Sequence, residues 1–215
     1  MTSATALTAA LAVAATAALA TTLTAAPTMA PTTLTVETRT QAQGQREFPD
    51  VTELGAALVE YQDGATQVVA AYYYSQRNHD APWLLIELGV ASPRTVRVRR
   101  ERIEIVTPSG RSVPLAAQRR WGADPARARV LLQQASTTRH QVRSYFRGTR
   151  DFESLRFFAG PDARTTVIDD IESGPEQVLL GDLLFESPTG AWERGRHALV
   201  ITHDRGTVTL PIDLR

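Results

Sequence analysis

The residues with the widest chemical reach in this chain are its four histidines, two of which stand directly before an aspartate: His79-Asp80 in "RNHDA" and His203-Asp204 in "THDRG". A histidine oriented by a carboxylate is a general base, and beside a hydroxyl it would drive nucleophilic hydrolysis. Adjacency in sequence does not supply that geometry, and no G-x-S-x-G or S-x-x-K accompanies either pair. Metal ligation has as little local support. His197 and His203 share a strand face but lie about 20 Å apart along it, too far for one ion. No H-x-H, H-x-x-x-H or H-E-x-x-H occurs. Asp169 and Asp170, as neighbours on an extended chain, would point to opposite faces, so they do not form a carboxylate pair. The chain has no cysteine, which removes disulfides, thiolate nucleophiles, cysteine zinc sites and iron–sulfur clusters. The expectation is therefore no catalytic residue, no metal and no cofactor. The alternative is a hydrolase or metal-binding enzyme in which the fold gathers His79, Asp80, His203 and Asp204 into one pocket.

Arginine is the other reactive resource. All 23 basic residues are arginine, balanced by 23 acids, so the formal charge is zero. That balance argues against a general nucleic-acid coat. It hides a segregation: residues 94–156 hold fifteen arginines against five acids, and each flank carries a net −5. "RTVRVRRERIEI" places Arg94, Arg97, Arg99, Arg100 and Arg102 in nine positions. Arg139, Arg143, Arg147 and Arg150 recur at steps of four, four and three, which on a helix is one cationic ridge. Such a ridge calls for anions, either from "DDIESGPE" (Asp169, Asp170, Glu172, Glu176) within the protein or from an anionic partner. The expected contact is the Arg139–Arg150 ridge, with the Arg97/Arg99 strand face second. A third surface, Tyr72-Tyr73-Tyr74, would alternate between core and solvent if extended.

Those groups need elements to hold them. Residues 4–20 are an Ala/Leu-rich apolar run ending in Ala18-Leu19-Ala20, the small-x-small form of a secretory cleavage site, with Ala26 and Ala30 as later cuts. Its n-region lacks a basic side chain, so an uncleaved anchor is the competing outcome. Residues 21–46 are Thr/Ala/Pro-rich and read as a linker. One domain, 47–215, follows.

Within it, residues 66–76 and 82–92 are β-branched and aromatic runs around a polar turn, a hairpin pattern. In residues 94–108, Val96 and Val98 share one parity and Ile103 and Ile105 the other, so the strand must switch register near Arg99–Glu101 through a bulge or a sheet crossing. Asp124-Pro125 is an N-cap and N1 pair, and apolar spacing then predicts a helix over 125–147 closed by Gly148. Five more strand-like runs follow at 152–160, 164–170, 176–188, 196–204 and 206–214, and Trp192 is expected to plug one end. Short strands with turns every eight to twelve residues predict a mainly β chain, an immunoglobulin-like antiparallel β-sandwich with one amphipathic helical insertion. The functional expectation is an exported, periplasmic or extracellular, non-enzymatic binding or assembly domain. Its partner is a protein or anionic envelope component, not nucleic acid, and membrane contact is peripheral or through the N-terminal segment.

Overall fold

The computed structural model describes residues 48–148, 151–161 and 166–215. The leader and linker, together with Arg150, lie outside the described residues. The described chain is mainly β, with two sheets packed face to face in a sandwich-like arrangement. The first sheet has the order β1 (Val51–Gly55), β2 (Leu58–Gln62), β3 (Gln67–Ala71), β4 (Trp83–Ala91), β9 (Gln177–Glu186), β7 (Asp151–Ser154). The second runs β11 (Gly206–Leu214), β10 (Gly195–His203), β5 (Val96–Val106), β6 (Ser112–Pro114), with β8 (Asp170–Ser173) also on β5. All pairings are antiparallel except β7 with β9.

Alternation builds the core. Leu84, Ile86, Leu88 and Val90 of β4 and Leu179, Leu183 and Phe185 of β9 face Val96, Val98, Ile103 and Ile105 of β5 and Leu199 and Ile201 of β10. Trp192 closes this cluster, its ring edge-on to His197 at 5.9 Å. The β3–β4 and β10–β11 hairpins form as the pattern predicts. The register switch in β5 also forms: Ile201 pairs with Ile103 but His203 with Val98, so Thr202 of β10 stands opposite four residues of β5, 99–102. The bulge lets both halves of the strand send their apolar residues inward.

Four expectations fail locally, the first being the 152–160 run, which is a strand only to Ser154. The helix is Pro125–Ser136, not 125–147. Asp124 caps it as expected, accepting from the Arg127 amide, and Ala128, Leu131 and Ala135 form the buried stripe. It stops because Ser136, Thr137 and Thr138 each turn their hydroxyl back onto the carbonyl three residues earlier, competing with the helical bonds. The following chain, 137–148, crosses the sheet as a strap containing only the 3-10 turn Val142–Tyr145. The tyrosine run does not extend either: β3 ends at Ala71 and Tyr73–Arg77 is a short helix, α1, with Tyr72 and Tyr74 buried. The run at 164–170 contributes a strand only from Asp170. With Gln118–Trp121 as α2, the 125–136 helix is α3.

The outer face of the first sheet is covered in two pieces. Helix α3 and Trp121 pack on Trp83, Leu85 and Leu184, and the strap puts Val142 and Phe146 over Ala91 and Val178. Gly89 makes the second contact possible, since a Cβ there would overlap the Phe146 ring and stand 2.9 Å from Val142. Gly89→Ala is therefore expected to destabilise the fold by about 1–3 kcal/mol through overpacking, read as a lower urea midpoint with an unchanged slope.

Candidate functional site at the seam beneath the strap

Between the two covers runs a seam. Two charged residues of the first sheet lie in it, Glu87 of β4 and Asp182 of β9, directly opposite each other in the strand register. Arg139 stands where α3 has ended and the strap begins, and it serves both carboxylates. Its Nη2 donates to both oxygens of Asp182 at 2.5 and 2.6 Å, and its Nε is 3.6 Å from Glu87. The His140 amide donates to Glu87 at 3.4 Å. The His140 ring is stacked on Tyr73, lies tilted against Tyr145 and shares a 3.0 Å hydrogen bond with the Tyr145 hydroxyl, so it is not the free surface histidine a helix would have carried.

Burial sets the electrostatics. The Glu87 side chain keeps only 12% of its surface exposed. Desolvation, aided by Asp182 and opposed by Arg139 and the His140 amide, pushes its pKa up to about 7. Partial burial opposes the Arg139 charge, but Asp182 and Glu87 outweigh it and raise its pKa. The triad therefore holds one firmly paired ion pair, Arg139–Asp182, and one carboxyl that titrates near neutrality.

Beside the triad the strap and sheet enclose an open cleft of 670 Å³. Arg143 reaches it from the 3-10 turn, its guanidinium 3.8 Å from the centroid of the Phe152 ring on β7. That contact restrains the cation without using its N–H donors in an ion pair. Arg143 is exposed, and no carboxylate among the described residues forms an ion pair with it. Arg147 is exposed at the far end of the strap. The four-residue ridge does not form, because its helix does not continue: Arg139 is consumed by the seam, Arg143 faces the cleft, and Arg150 lies outside the described residues.

The acids of "DDIESGPE" find other partners. Strand β8 pairs with the first half of β5, so Glu172 lies opposite Arg97 and Asp170 opposite Arg99. Arg97 contacts Glu172 at 2.8 Å and Asp170 at 3.6 Å, and Arg99 contacts Asp170 at 3.4 Å. Arg100, turned aside by the bulge, pairs with Asp169 at 2.7 Å, donates to the Ala116 carbonyl and lies 4.5 Å from the Phe158 ring. Three of the five arginines in the basic stretch are thus gripped by the protein's own acidic flank. Arg120 with Glu186 repeats the theme.

The dispersed His/Asp cluster is not assembled. His79 accepts from Arg194 and its carbonyl takes the Trp192 amide. His203 instead borders a 300 Å³ hollow with Arg97, Arg99, Arg102, Thr202 and Asp204. His197 is buried in the sandwich, where desolvation lowers its pKa. Among the described residues no three His, Asp or Glu side chains converge on a metal-sized site, and no helix is long and apolar enough to cross a membrane.

Glu87, Asp182 and Phe152 were not among the residues the sequence pointed to. A signal was present: "WLLIELGVA" and "VLLGDLLF" each carry one acid inside an otherwise apolar strand. A charge so placed needs a counter-charge from another element. No protein-family model, curated protein or solved structure matches the chain.

Arg139→Gln, which leaves two half-buried carboxylates without their guanidinium, is expected to lower stability by about 1–3 kcal/mol. Arg143→Gln should leave the unfolding midpoint nearly unchanged. Paired urea titrations at neutral pH read the difference.

Proposed function

We propose that this protein is an exported, non-enzymatic binding or assembly domain of the cell envelope or extracellular space. In this reading its sandwich is of immunoglobulin-like type, and it holds a protein partner through an acidic segment that enters the strap cleft. The observation that carries the reading is Arg143: an exposed guanidinium, pre-oriented on Phe152, at the mouth of a 670 Å³ cleft, with no ion-pair partner among the described residues. Arginine held flat against an aromatic ring keeps a rigid fork of donors that matches a carboxylate.

Three further features agree with it. The apolar run at residues 4–20 fits export. Arg97, Arg99, Arg100 and Arg139 are occupied internally, which leaves Arg143 as the ridge residue that lines the strap cleft without an ion pair among the described residues. His79 and Asp80 are not gathered with His203 and Asp204 into one pocket, so no observation favours a hydrolase or metal enzyme.

The test is binding of the full chain to poly-L-glutamate and, in parallel, to phosphatidylglycerol vesicles. Poly-L-glutamate should bind at about 0.05 M salt and be released at about 0.5 M, as screening requires of an exposed contact. Arg143→Gln should weaken binding about tenfold, the equivalent of one 1.4 kcal/mol contact. Arg97→Gln should leave it unchanged. Equal binding by wild type and Arg143→Gln would overturn the reading, and preference for the vesicles would replace the protein partner with a lipid surface.

A further inference from the structure

We propose that the strap cleft takes up its anion together with a proton: a ligand carboxylate docks beside Arg143 and Arg139 as Glu87 becomes neutral. The proposal rests on the reading of the cleft as an anion site and adds the condition under which it binds. The geometry behind it is two carboxylates sharing one guanidinium in a half-buried seam.

The charged and titratable groups around Glu87 come from every element packed on it. Asp182 faces it from β9; Arg139, His140 and Arg143 come from the strap; Tyr145 of the strap and Tyr73 of α1 pack on the His140 ring; β3 places only Ala71 across from it. Two guanidiniums and two carboxylates cancel when Glu87 is ionised, and an incoming anion meets a neutral cleft. Protonating Glu87 leaves a net positive cleft and adds an O–H donor. Asp182 is not the group that yields, because it takes both short bonds from Arg139 at 2.5 and 2.6 Å, whereas Glu87 stands at 3.6 Å. Burial already holds the Glu87 carboxyl at about 7, so little free energy separates its two states near neutral pH. Linkage then makes the effect reciprocal: an anion in the cleft raises the Glu87 pKa further, and a proton on Glu87 tightens the anion.

The sign for stability follows from the same shift. A carboxyl raised from the usual 4.5 to about 7 binds its proton more tightly in the folded state. Its stabilising contribution is complete below pH 4.5 and is lost as pH rises through about 7.

The experiment follows the Glu87 carboxyl carbon by NMR in the full chain across pH, alongside poly-L-glutamate binding at pH of about 5.5, 7 and 8.5, where that polymer stays ionised. Wild type, Glu87→Gln and His140→Gln are compared. The Glu87 signal should titrate near neutrality, and wild-type affinity should fall about tenfold from the lowest to the highest pH, a typical coupling between sites. Glu87→Gln should bind at the low-pH affinity throughout and lose the matching slope in stability, while His140→Gln keeps both slopes. A Glu87 signal in the ordinary carboxylate range, or a slope that survives in Glu87→Gln, overturns the proposal. Binding that is pH-independent in wild type overturns it alone, whereas no binding at any pH overturns it together with the function reading.

Discussion

A strand that is apolar on both faces cannot lie at the surface of a sandwich, and β4 is such a strand. Eight of its nine residues, Trp83 to Ala91, are buried. Its even positions fill the core between the sheets, and its odd positions need cover from outside. That requirement explains why the chain leaves the second sheet after β6, makes α2, α3 and the strap, and returns through β7. Where the two covers meet, the odd position is Glu87. A charge in that place demands a counter-charge, and the chain supplies Arg139 at the one point where helix becomes strap.

The same logic governs the charge segregation along the sequence. The basic middle pairs with both acidic flanks, through Arg97, Arg99 and Arg100 with the β8 region and through Arg139 with β4 and β9. Most of these pairs are half-exposed, and such pairs add little to stability. Their consequence is selective neutralisation. By occupying Arg139 internally, the fold leaves Arg143 as the pre-oriented cation of the strap cleft.

Much of the scaffold was legible in the sequence, because its signals were local. The parity change between Val98 and Ile103 located the bulge, since strand side chains must alternate and both halves had to face one core. Asp124-Pro125 located the start of α3, since a cap needs only the first turn. The end of that helix was misread, because the 3.6-residue apolar spacing continued through Val142 and Phe146. Those residues are buried, but from a strap, and the hydroxyls of Ser136, Thr137 and Thr138 settled the local competition. The tyrosine run failed for a related reason: propensity favoured a strand, while packing of Tyr72 and Tyr74 favoured a turn of helix.

The candidate site was legible only in its parts. By itself the sequence determined the two-sheet, mainly β character, the bulge, the helix cap and the presence of a concentrated arginine reserve, all properties of neighbouring residues along one chain. Tertiary structure decided which arginine meets which acid. Arg139 and Glu87 are 52 residues apart in the chain, and Arg97 and Glu172 are 75 apart; nothing in either neighbourhood specifies the other. Only the path of the strap over the β4–β9 pair, and the register of β5 against β8, brings the charges together. It is that pairing, through burial and shared donors, that leaves Glu87 titrating near neutrality and Arg143 facing an open cleft.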